Sequence, residues 1–283
     1  MTAAVTTTPP VPHGDRAHRA DQTDRADRAT SPDYVQSLAR GLAVIRAFDA
    51  ERPRQTLSDV ARATGLTRAT ARRFLHTLAE LGYVDTDGSV FWLTPRVLDL
   101  GYSYLSALPL TDLAQPHLEK LSSRLGESSS VAVLDGPDIV YVGRVQVRRI
   151  MTIGITIGTR FPAYATSMGR VLLAALPAER LDAYLEETDL QALTPHGLSE
   201  QEALTAELDR VAERGWCVVD QELEPGLRSV AAPVHGRDGG VVAALNVSTH
   251  AARYTPEQLH HELVPELLAT ARALSADLAI VHR

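Results

Sequence analysis

Arg68, Arg72, Arg73 and His76 recur at three- and four-residue spacing in TRATARRFLHTLAELG, residues 67–82. On a helix they share one face with Ala69, while Ala71, Phe74, Leu75, Leu78 and Leu81 form the opposite, buried stripe. A row of guanidinium groups suits phosphate oxygens and the paired acceptors on a guanine edge. Each bidentate contact of the second kind is worth roughly 1–3 kcal/mol of discrimination. An ordinary amphipathic helix with a solvated basic face has the same spacing, so the neighbouring elements decide.

Thr56 can cap a preceding helix, with Asp59 three residues on able to complete a capping box. Leu57, Val60, Ala61 and Thr64 follow at helical spacing. Gly65 supplies the left-handed residue of a sharp turn, Leu66 fits the angle between helices, and Thr67 caps the second helix, which Gly82 ends. Upstream, Leu38, Leu42, Ile45 and Phe48 give the apolar stripe of a first helix, with Gln36, Ser37 and Arg40 near its amino end. Downstream, Tyr83-Val84 and Val90–Leu93 flank the hairpin pair Asp87-Gly88. Three helices and a hairpin make a winged helix-turn-helix, whose recognition helix lies in the major groove of double-stranded DNA. On that geometry Arg68 and Arg72 are base or groove contacts, and Thr67, Thr70 and Arg73 hold phosphates. Ser37, Arg40 and the wing tip at Asp87 and Gly88 are further backbone contacts. Charge agrees: residues 35–96 hold nine arginines against six acids, whereas residues 97–283 hold fifteen basic and twenty-four acidic residues. The chain's net charge of -7 does not exclude nucleic acid, because phosphate responds to the local patch.

With 283 residues, 45% of them hydrophobic, the chain can bury two cores. No apolar run approaches twenty residues and no basic-then-apolar leader opens the chain, so no membrane contact is expected and the location expected is cytoplasmic. The single cysteine, Cys217, excludes an internal disulfide and reads as a small buried strand residue. No cofactor or metal is expected. Residues 1–33, with four arginines, five aspartates and no apolar face, read as a disordered tail. Residues 34–95 then form the DNA reader, and 96–110 a linker helix capped by Thr94-Pro95.

Residues 111–283 read as an α+β domain. A helix over 113–125 stops at Gly126, and strand-like runs follow at 130–134, 139–145 and 150–157. Helices are expected over 167–176, 179–187 and 200–214, the last with Ser199 and Glu202 in capping-box positions. Strands at 216–222, 229–234 and 241–247 and a long helix from Pro256 to about Val281 complete a curved antiparallel sheet covered by helices. Such a sheet is common in sensors of small molecules.

YVQSLARGLAVIRAF at 34–48, the helix-turn-helix, GTRFPAYATSMGRVLLA at 158–174 and DQELEPGLRSVAAPV at 220–234 resemble the IclR family of bacterial regulators. ESSSVAVLDGPDIVYVGRV and ALNVSTHAAR resemble its PcaR, PcaU and PobR branch, which controls protocatechuate and 4-hydroxybenzoate catabolism through the β-ketoadipate pathway. The resemblance, from about residue 34 to the end, implies a homodimer, often paired into a tetramer, with a GAF-like effector domain that binds a small carboxylate: protocatechuate, 4-hydroxybenzoate or β-ketoadipate. It implies a pocket at Gly158, Ala163, Tyr164, Ala165, Asp220, Ser229, Asn246 and Ser248. Relatives can carry cysteine where this chain has Ser229.

A carboxylate needs a cation or backbone donors and an apolar wall. Arg144, Arg148, Arg149, Arg160 and Arg228 are the candidates, with the pair Arg148 and Arg149 preferred because adjacent strand residues face opposite ways. A regulator of another carboxylate pathway, such as glyoxylate or homogentisate, stays open. An enzyme does not fit well: Ser167 lies in ATSMG and not in a G-x-S-x-G elbow, and the adjacent His260 and His261 diverge by about 100 degrees on a helix, with no spacing that completes a metal site.

Overall fold

A computed structural model of the protein describes residues 34–105, 109–147 and 154–280. They fall into two compact units, one reaching Gly101 and the other starting at Tyr102.

The first unit runs α1 (Gln36–Arg46), β1 (Gln55–Thr56), α2 (Leu57–Thr64), α3 (Arg68–Glu80), β2 (Val84–Thr86) and β3 (Val90–Leu93). Val44, Phe48, Val60, Leu75, Leu78, Val84 and Phe91 form its core. The Thr56–Asp59 capping box is present. Gly65 and Gly82 both adopt positive φ, and each closes its helix in the same way: Leu66 N–H donates to Ala61 O at 3.0 Å and Tyr83 N–H to Leu78 O at 2.9 Å, satisfying carbonyls that the helix end leaves open.

Two apolar positions depart from expectation. Leu38 and Leu42 are 63% and 48% exposed, because α1 turns its smaller stripe inward: Val44 and Ala47 are buried, and Gly41 lets the Phe74 ring approach. Leu81 is 51% exposed, since it sits where the chain leaves α3 just before Gly82. The hairpin also has a third strand that the sequence did not announce. β1 pairs with β3, giving the antiparallel order β1-β3-β2, and buried Gln55 donates from Nε2 to Ala47 O at 2.6 Å.

A single turn at Pro95–Val97, capped by Thr94, leads into α4 (Leu98–Leu105), which the boundary between units crosses. Residues 106–108 lie outside those described, and α5 (Pro109–Leu125) follows. The sheet of the larger unit comprises β4 (Ser128–Asp135), β5 (Asp138–Val145), β6 (Arg160–Pro162), β7 (Cys217–Asp220), β8 (Leu227–His235) and β9 (Val241–His250). All neighbours are antiparallel, in the order β6-β5-β4-β9-β8-β7. Helices α6 (Ser167–Ala174), α7 (Ala178–Glu187) and α8 (Gln201–Arg214) cover one face, and α5 with the C-terminal α9 (Val264–Ile280) covers the other.

Strand alternation decides which core each residue joins. On β4, Val131 and Val133 join the α5/α9 side, and Ala132 and Leu134 the α6 side. β5 breaks this parity with a bulge. Val131 pairs with Gly143 but Ala132 pairs with Tyr141, so Val142 is the extra residue. Beyond it Arg144, opposite Ser130, shares the α6 face with Tyr141.

Two further expectations fail. Among the described residues the third strand of the meander is β6, and no strand forms over 154–157 of the expected run. Of that run 150–153 lie outside the described residues, and the rest leads into a turn in which Thr159 Oγ1 accepts from Thr156 N–H at 2.9 Å and Gly158 has positive φ. This local hydrogen bonding overrides the β propensity of Ile155 and Ile157. Helix α8 is capped from Glu200 without a side-chain bond, so the Ser199–Glu202 box does not form.

Candidate functional site

The first surface is the outer face of α3. Thr67 Oγ1 accepts from Thr70 N–H at 3.2 Å and lies 2.9 Å from Thr70 Oγ1, which fixes both hydroxyls at the helix start and leaves one hydroxyl proton of the pair to donate outward. Arg68, Arg72 and Arg73 are exposed, and no ion pair with a carboxylate engages them among the described residues. By contrast Arg52 and Arg62 are paired with Asp49 and Asp59. Arg72 donates from Nε to His76 Nε2 at 3.4 Å. Three guanidinium groups without a carboxylate, on the first turns of a helix whose positive dipole end is near, suit a polyanion. Ser37 and Arg40 are exposed at the start of α1.

The wing tip is built differently from its sequence reading. Asp87 Oδ1 accepts from Ser89 N–H, Ser89 Oγ and Val90 N–H, and these donors, the Val90 N–H first, hold its carboxyl down at about 2. Gly88 N–H is taken by Thr86 Oγ1. Both residues shape the turn. The cation beside the wing is Arg54, which sequence reasoning missed. Its guanidinium stacks 4.2 Å over the Trp92 ring. The signal was alternation on β3, where buried Phe91 faces the core and Trp92 the other way.

The second site is an enclosed cavity between α6 and its face of the sheet. Tyr141, Val219 and Leu227 from strands, Ile155 and Leu223 from loops, and Ala165 supply apolar wall. Thr166, Ser167, Ser229, Asn246 and Ser248 supply the polar strip. Its free volume is about 10 Å³, room for a water and far below the roughly 150 Å³ that holds a benzene, so a ring must push the walls apart to enter. Burial raises the Tyr141 hydroxyl to about 12, keeping it neutral.

Of the residues assigned from the resemblance, Ala165, Ser229, Asn246 and Ser248 meet in this cavity. Gly158, Ala163 and Tyr164 support it from outside. Gly158 N–H donates to Tyr141 O at 2.8 Å, Ala163 packs against α6, and the Tyr164 hydroxyl donates to Gln191 O at 3.1 Å. Asp220 does not reach it. Val219 occupies the cavity face of β7, so Asp220 points away and binds Arg228 at 2.7 Å, and that guanidinium holds its carboxyl below the usual range. Arg148 and Arg149 lie outside the described residues. Ser167 Oγ sits 2.9 Å from Ser229 Oγ, a partner that cannot serve as a general base. Tyr141 and the leucines escaped sequence reasoning because parity across six strands cannot be counted before the register is known.

Behind this cavity Arg170 ties its walls together. Arg170 is 2% exposed. Its Nε donates to Tyr164 O at 2.8 Å, and its two Nη atoms form a fork on the Glu222 carboxylate. One bond holds the 163–165 turn and the other the 221–226 loop. An open cleft of about 320 Å³ beyond Arg170 is lined by charges already paired, Arg170 with Glu222 and Arg210 with Glu207.

Residues 37–88 match the IclR helix-turn-helix domain, and residues 102–276 match the C-terminal domain of the bacterial transcriptional regulator IclR. The chain is 47% identical to the Pca regulon regulatory protein of Pseudomonas putida over 87% of this chain and 85% of that one. A solved transcriptional regulator from Rhodococcus sp. RHA1 superposes with a TM-score of 0.81 at 65% identity, over 88% of this chain and all of that one. An IclR homologue of Microbacterium hydrocarbonoxydans, solved in complex with 4-hydroxybenzoate, superposes with a TM-score of 0.78 at 25% identity, over 87% of this chain and all of that one.

Proposed function

The chain belongs to the IclR family of bacterial transcriptional regulators, and on that premise we propose that it controls aromatic-acid catabolic genes in response to a small carboxylate held in the sheet cavity. It acts as a homodimer on operator DNA, able to pair into a tetramer, with Arg68 and Arg72 at base edges and Thr67, Thr70 and Arg73 at phosphates. The effector is protocatechuate, 4-hydroxybenzoate or β-ketoadipate.

The observation that carries this reading is the cavity itself, a polar strip of Ser229, Asn246 and Ser248 inside apolar walls, the composition expected of a small-molecule site. The Pca regulon name of one relative and the 4-hydroxybenzoate bound by another support the ligand class. Tyr34, Val35, Leu38 and Leu42, exposed at the start of α1, are the apolar surface a second copy would cover.

Calorimetric titration of the protein with the three acids, alone and on its own upstream DNA, tests the sensing half. Binding of one acid in the micromolar range is expected, and binding of none with DNA still bound specifically would remove it. For the DNA half, Arg72→Ala is expected to weaken operator binding about tenfold to a hundredfold, the loss of one guanidinium–base contact, while effector binding stays as it was. An unchanged operator isotherm would take Arg72 out of the interface.

A further inference from the structure

Three described arginines stand on strands of the larger sheet, and two of them are occupied. Arg160 binds Asp135 and Asp138. Arg228 binds Asp220 and the carbonyls of Ala251 and Tyr254. Arg144 has no carboxylate partner among the described residues. Its Nη1 donates to Ser130 Oγ at 3.1 Å, and its Nε is buried without a hydrogen-bond acceptor. Burial pulls its pKa below the ordinary arginine value, as expected for a cation removed from water with no anion beside it.

The β5 bulge brings Arg144 onto the cavity face. Across the sheet the row continues Arg144, Ser130, Asn246, and Asn246 lines the cavity. Asn246 is 3% exposed. Its Nδ2 donates to Ser248 Oγ at 3.1 Å, and its Oδ1 has no partner. An unpaired guanidinium edge beside the cavity and an unpaired amide oxygen in its wall are costly to the fold alone. Both are groups a ligand would satisfy.

We propose that Arg144 receives the effector's carboxylate and Asn246 receives a ring hydroxyl, so that the ligand is a hydroxy-substituted aromatic acid and not a keto-diacid. This rests on the cavity being the effector site. Arg144 and Asn246 stand two strand spacings apart, about 10 Å between backbones, a span that the arginine side chain and one substituted ring bridge once the cavity walls part. The guanidinium edge accepts a carboxylate through two parallel donors. A hydroxyl both donates and accepts, so it satisfies the Asn246 amide in either orientation. The second carboxylate of a diacid would instead meet Asn246, Ser248, Ser229 and Ser167, neutral groups in a desolvated space with no cation of its own lining it among the described residues.

The test is calorimetric titration of the full chain with 4-hydroxybenzoate, its neutral isostere 4-hydroxybenzamide, benzoate and β-ketoadipate. It is applied to the wild type and to Arg144→Met, Arg144→Lys and Asn246→Ala. The wild type is expected to bind 4-hydroxybenzoate at least about tenfold more tightly than the other three. Arg144→Met should bring the acid down to the amide, Arg144→Lys should recover part of the difference, and Asn246→Ala should bring 4-hydroxybenzoate down to benzoate while leaving benzoate unchanged. Tighter binding of β-ketoadipate, or an unaltered acid isotherm in Arg144→Met, overturns the proposal and leaves the cavity as the effector site. Wild type that binds none of the four while still holding operator DNA removes the sensing reading and this proposal with it. If both Arg144 variants fail to fold, equal wild-type affinity for acid and amide is the overturning result.

Discussion

Arg170→Met is expected to lower the stability of the larger unit by about 3 kcal/mol, the low end of what breaking a buried ion pair costs. Arg170 has no exposure to spare and makes three bonds, one to Tyr164 O and two to Glu222. Methionine fills much of the same volume but leaves the Glu222 carboxylate, 12% exposed at its side chain, without its cation. The unit contains roughly 180 residues, a size at which each kcal/mol moves the melting temperature by about 2–4 °C, so a fall of about 6–12 °C should appear in a thermal melt. Most of the loss belongs to the stranded anion. Adding Glu222→Gln to Arg170→Met should therefore recover part of the melting temperature although it removes a further charge. A single variant that melts within a degree of wild type would show that the fork contributes nothing.

Gly169→Ala should be about as damaging for a different reason. Helical glycine to alanine ordinarily gains up to about 1 kcal/mol from propensity. Here a Cβ would lie 2.1 Å from Ala163 O and 2.4 Å from Ala163 Cα, and both obstacles are backbone. Ala163 is itself fully buried, and its carbonyl accepts from Thr166 N–H at 3.2 Å, so it has nowhere to retreat. Overpacking of this kind costs about 1–3 kcal/mol and more where the backbone must move, which outweighs the propensity gain. We expect a melting temperature lower by at least about 4 °C and weakened effector binding, because α6 and the 163–165 turn both reach the cavity. A stabilised Gly169→Ala would mean that α6 can slide away from the turn at little cost.

The helix-turn-helix could be read from sequence because its signals are local. Thr56, Asp59, Gly65, Thr67 and Gly82 act within a few residues of themselves, and the caps formed as their chemistry requires. Leu38 and Leu42 misled because α1 carries two apolar stripes, and only packing against α3 selects the smaller one. Ser199 misled because a cap also needs the right backbone entry, and the chain enters α8 one residue later. The cavity was partly legible. The residues carried by resemblance include four that line it, whereas Asp220 faces away through strand parity and Arg54 gained its position only from β1 pairing with β3. Arg170 gave no signal at all in the sequence, since its partners lie 6 and 52 residues away.

The extra residue in β5 makes the face that Arg144 presents a matter of counting. In DIVYVGRV the simple alternation Ile139, Tyr141, Gly143 would assign Arg144 to the side of Val140 and Val142. The bulge reverses that assignment for everything beyond it. Ironing out the bulge at constant length would leave every side chain of the cavity chemically unchanged and still turn Arg144 to the far layer, opposite Ser129, whereas deleting Val142 would keep Arg144 opposite Ser130 on the cavity face. Loss of the bulge without any change of length would therefore change which side chains face the cavity without replacing a residue that lines it. Two such chains, one with the bulge and one without, would align column by column without a gap and yet present opposite faces from Gly143 onward.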